Sequence, residues 1–124
     1  MAPMAAAFVV QIHSGYGELH YDLMLECGDA LATWQLARSP EGLAAGCDVP
    51  AARLDDHRKA YLAYEGPVSR GRGEVKILDR GTYDLLARGD DRWEFDLHGG
   101  ALRGRFELSR PAGADAPWLL RRLG

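Results

Sequence analysis

The sequence predicts an all-β chain that closes into a small β-barrel of about eight mostly antiparallel strands with short helical turns. Three observations lead there. Fifteen glycines and six prolines are spread at short intervals through 124 residues, which leaves little room for long elements. No window of roughly 11–18 residues carries a sustained apolar stripe at helical spacing. Short runs alternate apolar with polar instead, and about eight of them at 8-to-12-residue spacing read as a barrel or sandwich.

The elements follow in order. Residues 1–7 are expected to be flexible and to lead into strand one, Phe8-Val-Val-Gln-Ile12, with a glycine-bearing loop at 14–18 behind it. Leu19 to Cys27 reads as strand two, Gly28-Asp29 as a turn, and Ala30 to Leu36 as strand three. Residues 37–52 hold Pro40, Gly42, Gly46 and Pro50 and read as mostly loop, with one helical turn near Leu43. Arg53 to Tyr64 is mixed, Glu65-Gly-Pro67 breaks it, and Ser69-Arg-Gly-Arg-Gly73 is a basic loop. Glu74 to Leu78 alternates as a strand, Asp79-Arg-Gly81 reads as a turn, and Thr82 to Ala87, Arg92 to His98 and Ala101 to Ser109 alternate again. Pro111 to Pro117 reads as a loop before a closing strand, Trp118 to Arg122. Tryptophans 34, 93 and 118 fall on these strands as core or rim packing. Without a repeat or an internal linker, 1–124 is expected to form a single domain, and at that length a chain buries roughly two-thirds of its unfolded surface.

Composition narrows function. Fifteen Lys+Arg against 18 Asp+Glu leave a formal net charge of −3, which excludes a strongly basic binder of phosphate backbones but permits a small basic cleft. Cys27 and Cys47 form no Cys-x-x-Cys pair, so a zinc ribbon or thioredoxin-type site is excluded. A reduced, cytoplasmic compartment is expected, with no membrane association and a monomeric state. The apolar start reaches Gln11 too soon for a spanning helix of ~20 residues.

The densest chemistry lies around strand two. Strand alternation puts His20, Asp22, Met24 and Glu26 on one side and Tyr21, Leu23 and Leu25 on the other, which suits the core. A helix over the same residues would separate His20 from Asp22 by about 200°. Strand one can present His13 alongside. Two imidazoles and a carboxylate with open positions suit Mn²⁺, Fe²⁺ or Zn²⁺; the same pattern also fits a solvated, hydrogen-bonded surface pair. Arg70-Gly-Arg-Gly73 could approach an anion through backbone N–H groups or serve as a plain hairpin tip. Asp55-Asp56-His57 fits an oriented histidine or a polar turn, and His98 beside Gly99-Gly100 reads as a turn residue.

Taken together, several stretches resemble the 3′-phosphoesterase domain of bacterial ligase D, the enzyme of non-homologous end joining. They are Phe8-Val-Val-Gln-Ile-His13, Leu19-His-Tyr-Asp-Leu-Met-Leu-Glu26, Thr33-Trp34, Arg53-Leu-Asp-Asp-His57 with Tyr61, and Glu65-Gly66. Further on come Leu78-Asp-Arg-Gly-Thr-Tyr83, Leu97-His-Gly-Gly-Ala-Leu-Arg-Gly-Arg-Phe106 and Trp118-Leu-Leu120, collinear to the end of the chain. The resemblance implies a β-barrel enzyme that removes a 3′-terminal ribonucleoside and a 3′-phosphate from nucleic-acid ends with Mn²⁺, or another divalent metal such as Zn²⁺, in end-joining repair. It implies metal ligation by His13, His20 and Asp22, catalytic phosphate contacts from His57 and Tyr61, and partnership with DNA-repair proteins.

The chain also departs from that pattern. The family's arginine two residues beyond the aspartate is Met24 here, and a thioether cannot replace a bidentate guanidinium clamp. A basic loop between the first two histidines is replaced by Gly15-Tyr-Gly-Glu18. Arg53, Arg70 and Arg72 are the candidates to bind phosphate in the missing clamp's place. Two readings follow: a phosphoesterase with weakened or altered activity, or a catalytically degenerate member that serves as a nucleic-acid or protein binding module.

Overall fold

The structure is a computed structural model that describes residues 6–111 and 117–124. Met1–Ala5 and the centre of the expected 111–117 loop lie outside the described residues. The described strands are β1 (Ala6–Ser14), β2 (His20–Cys27), β3 (Ala30–Leu36), β4 (Asp48–Arg58), β5 (Gly66–Pro67), β6 (Glu74–Arg88), β7 (Arg92–Gly99), β8 (Arg103–Ser109) and β9 (Trp118–Arg122). A short 3-10 helix, Lys59–Leu62, follows β4.

Every pairing is antiparallel, in the order β1-β2-β3-β4-β9-β8-β7-β6, and β6 returns to pair with β1. That return closes an eight-stranded barrel and removes the free sheet edge. The two-residue β5 pairs only with the start of β6. No described helix is long and apolar enough to cross a membrane.

The barrel interior is filled by alternate residues of each strand. Phe8 and Val10 of β1, Leu23 and Leu25 of β2, and Trp34 of β3 meet Phe95, Leu97, Phe106 and Leu108 from the opposite wall, with Tyr21 packed at the margin. The three tryptophans form one cluster, with Trp34 edge-on to Trp93 and Trp118 at ring-centroid distances of 5.0 and 5.7 Å. A second, smaller apolar cluster lies outside the barrel wall, where Val9, Met24 and Leu31 are covered by Tyr61 and Leu62.

Four elements differ most from the sequence reading. Strand one begins at Ala6, inside the stretch expected to be flexible. Strand β4 begins at Asp48, because Val49 and Ala51 turn inward while Pro50 stays exposed, an alternation that proline obscures. Asp79-Arg-Gly81 is not a turn but the middle of the continuous β6. Glycine is required at 81 for close approach, since a Cβ there would lie 2.2 Å from the His98 carbonyl oxygen. Asp79 instead accepts the N–H groups of Gly100, Ala101 and Leu102 at 3.0, 3.1 and 2.7 Å, which shapes the β7–β8 turn. His98 lies in β7 and pairs with Asp84 at 2.9 Å.

Candidate metal centre

The register of β1 on β2 builds the site. His13 lies opposite His20, Gln11 opposite Asp22, and Val9 opposite Met24. Phe8 and Val10 occupy the barrel interior, so alternation turns Val9, Gln11 and His13 outward, as it does His20, Asp22 and Met24. Three cross-strand pairs thus line the outer wall, beneath the segment that runs from β4 to β6.

The structure brings His13, His20 and Asp22 together. Their imidazole centroids are 4.6 Å apart, His20 Nε2 is 3.5 Å from Asp22 Oδ1, and His13 Nδ1 is 3.9 Å from Asp22 Oδ2. One ligand atom from each residue lies within 4.8 Å of the other two. Two ligands about 2.0–2.2 Å from a shared ion sit roughly 3–3.6 Å apart, close to this spacing.

Backbone carbonyls fix which nitrogens face inward. His13 Nε2 donates to the Arg72 carbonyl at 2.6 Å, so its Nδ1 carries the free lone pair. His20 Nδ1 donates to the Glu18 carbonyl at 3.2 Å, which leaves Nε2 toward the carboxylate. Each of the two histidines therefore aims an unprotonated nitrogen at Asp22, the arrangement that metal-ligating histidines favour. Asp22 is 4% exposed, and its Oδ1 finds no hydrogen-bond partner among the described residues. Burial pushes its carboxyl above the usual range, while His20, His13 and His57 pull it back whenever they are protonated. A buried carboxylate with one orphaned oxygen, and with a histidine nitrogen beside each of its oxygens, is a donor set that fits a divalent cation.

His57 and Tyr61 complete a cleft of about 250 Å³ over the trio. His57 Nδ1 donates to the Asp55 carbonyl at 2.9 Å, which leaves Nε2 free, and the His57 and Tyr61 rings meet edge to face at 5.6 Å. The 3-10 helix that carries Tyr61 is pinned from below by Gln11. That side chain is 1% exposed, and its Nε2 donates to the Tyr61 and Tyr64 carbonyls at 3.0 and 3.1 Å. Sequence reading missed Gln11 as a positioning residue. Its signal was present: a polar side chain in an apolar run, two residues before His13 and so on the same face.

Of the three candidate phosphate-binding arginines, only Arg72 lines the cleft, and its guanidinium is turned onto the carbonyl and hydroxyl oxygens of Ser69 at 2.9 and 3.1 Å. Arg53 is not brought to the trio. It pairs in register with Trp34, so it shares that residue's face, where its guanidinium caps the Trp34 indole at 4.3 Å and contacts Asp56 at 3.5 Å. Arg70 is exposed on the loop with φ 63° and does not line the cleft. Met24 shares the site face but is buried under Tyr61 and Leu62.

Comparison with known proteins adds a lineage to this geometry. Residues 11–110 match the family model described as the DNA ligase D 3′-phosphoesterase domain. The chain is 36% identical, over 94% of its length, to the multifunctional non-homologous end joining DNA repair protein LigD of Mycobacterium tuberculosis, and covers 16% of that relative. It is 31% identical, over 91% of its length, to the multifunctional non-homologous end joining protein LigD of Pseudomonas aeruginosa, of which it covers 14%. The chain thus spans about a sixth of the length of these relatives.

Proposed function

The chain belongs to the DNA ligase D 3′-phosphoesterase domain family, and from that premise we propose that it is a divalent-metal-dependent phosphoesterase acting on nucleic-acid 3′ ends in end-joining repair. The observation that carries this reading is the buried Asp22 carboxylate at the floor of one cleft, its orphaned Oδ1 beside His20 Nε2 and its Oδ2 beside His13 Nδ1.

His13, His20 and Asp22 would hold the metal, with Mn²⁺ the ion the family implies. Once bound, such an ion supplies Lewis-acid polarisation of a phosphoryl oxygen and lowers the pKa of a coordinated water. The chain's own groups do the rest. His57, its Nδ1–H held by the Asp55 carbonyl, would act as the imidazolium and donate Nε2–H to a phosphoryl oxygen or leaving oxygen as charge grows there. Tyr61 adds a phenolic donor on the same side of the cleft. The Arg72 carbonyl and the Glu18 carbonyl hold the two ligand imidazoles in orientation.

A second reading rests on Met24. With a buried thioether where the family places its clamp, and with Arg72 turned onto Ser69, the cleft offers no free guanidinium to the transferring phosphoryl. A member that binds 3′ ends and turns them over weakly, or not at all, matches that feature.

The deciding assay measures Mn²⁺-dependent release of phosphate and of a terminal ribonucleoside from 3′-ended primer-templates, beside thermal melting. We expect saturating Mn²⁺, at about 100 times its dissociation constant, to add about 2.7 kcal/mol of stability. That corresponds to roughly 10 °C in Tm for a domain of this size. His20→Ala should abolish both the shift and the turnover, and His57→Ala should keep the shift while lowering turnover by about 10²-fold or more. A melting shift without turnover selects the binding module; neither shift nor turnover removes the metal-centre reading.

A further inference from the structure

The cleft over the trio does not end at His20. A second hollow of about 440 Å³ opens on that side, and the two share Tyr16, His20 and Gln35. Its size falls in the ~300–1,000 Å³ range of small-molecule sites. Tyr16 is 55% exposed and Leu19 53%, the two most exposed large apolar side chains among the described residues. They stand on the lip of a polar cleft with no part of the described protein covering them.

Local backbone geometry puts Tyr16 there. Gly15 and Gly17 flank it at φ 80° and 69°, left-handed conformations that turn the chain on either side of the tyrosine. The segment is also tied to the site, because the Glu18 carbonyl holds His20 Nδ1.

Charge distinguishes the Tyr16 hollow from the notch beyond Tyr61. The Tyr16 hollow has one formally charged lining group, the Glu18 carboxylate, which repels phosphate. Past Tyr61, a smaller notch is lined by Arg58 and Ser69, and Arg72 lines the trio cleft itself, on a loop packed against Gly15. The positive charge of Arg58 and Arg72 suits an anionic strand on the notch side. An uncharged, flat, aromatic group suits the tyrosine side.

We propose that the Tyr16 hollow is a nucleobase subsite. It takes the uncharged terminal nucleoside of a strand whose phosphates run toward Arg72 and Arg58, with the base stacked on Tyr16. The choice of a nucleobase as ligand rests on the nucleic-acid-end reading above; the hollow, its exposed tyrosine and its charge do not.

The test is an amide chemical-shift titration of the full, isotope-labelled chain without metal, using adenosine, ribose and inorganic phosphate as probes. Adenosine is expected to move the amides of residues 16–19 and Gln35, and ribose, which lacks the base, is not. Phosphate is expected to act on residues 69–72. Tyr16→Ala should weaken adenosine binding about tenfold or more, and Tyr16→Phe, which keeps the ring, by no more than about twofold. The proposal is overturned if adenosine leaves 16–19 unmoved, if ribose acts equally, if phosphate moves 16–19 more than 69–72, or if Tyr16→Ala binds adenosine as the wild type does. Because the titration reads neither metal nor turnover, an absence of phosphoesterase activity leaves it standing, and its own failure leaves that activity untouched.

Discussion

Gln11 is the residue on which the upper half of the site depends. Its buried amide satisfies two carbonyls of the segment that carries Tyr61, and nothing else in the β1 wall reaches them as a donor. Gln11→Ala leaves both acceptors unpaired and opens a void, a loss of about 3 kcal/mol that urea unfolding will read. Mn²⁺ affinity should fall less than turnover does, since Tyr61 loses its support while the trio keeps its ligands. Met24 behaves differently from what its place in the motif implies. An arginine there enters a cluster of Val9, Leu31 and Leu62 rather than open cleft, so Met24→Arg should lower stability by roughly 3 kcal/mol or more and fail to raise phosphate release. Expecting that substitution to restore a clamp is reasonable from sequence alone; burial under the 3-10 helix argues against it. The trio itself was legible, because strict alternation on β1 and β2 decides which face each residue takes. The arginines were not. In the β3–β4 pairing the register shifts between Leu31 and Thr33, so Leu54 and His57, three residues apart, both face the cleft while the exposed Arg53 takes the face of Trp34. Alternation carried past a bulge gives the wrong face.

The 68–73 loop shows an element acting on the metal centre through its backbone. Gly73, at φ 79°, lies so close to β1 that a Cβ would fall 2.0 Å from the Ser14 carbonyl oxygen. That contact sets the Arg72 carbonyl against His13. Gly73→Ala must push the loop away and release the hydrogen bond that orients the imidazole. We expect a 10- to 100-fold weaker Mn²⁺ affinity by isothermal calorimetry, the usual loss when a ligand histidine loses its carbonyl partner. Most strands were legible because their apolar alternation is unbroken. Long β6 was not, since Gly81 and Asp79 are turn formers by type and are used here for a close approach and for capping a neighbouring turn. Residue type reports what a position tolerates; the neighbouring strand decides what it is used for.

At the scale of the molecule, closure depends on β1 lying between β2 and β6, and Tyr83 ties those neighbours together. Its hydroxyl donates to the Glu26 carbonyl at 2.6 Å while its ring packs on Phe95. Burial pushes the phenol up to about 12, with Cys27 and Glu26 adding to the shift. A raised folded value means that its contribution is complete below about pH 10 and is lost as pH climbs toward 12. Melting temperatures measured from pH 8 upward should therefore fall steeply above pH 10, and Tyr83→Phe should flatten that part of the curve after a loss of about 1 kcal/mol at neutral pH. Strand β1 has one more consequence. Phe8 and Val10 hold the barrel, and Gln11 and His13 build the site, so stability and chemistry are written on alternate letters of one short word. Substitutions can rewrite either message and leave the other intact, which lets a lineage change what it acts on without redesigning the container. Adding or deleting a single letter exchanges the two messages, so this strand can evolve by replacement and not by change of length.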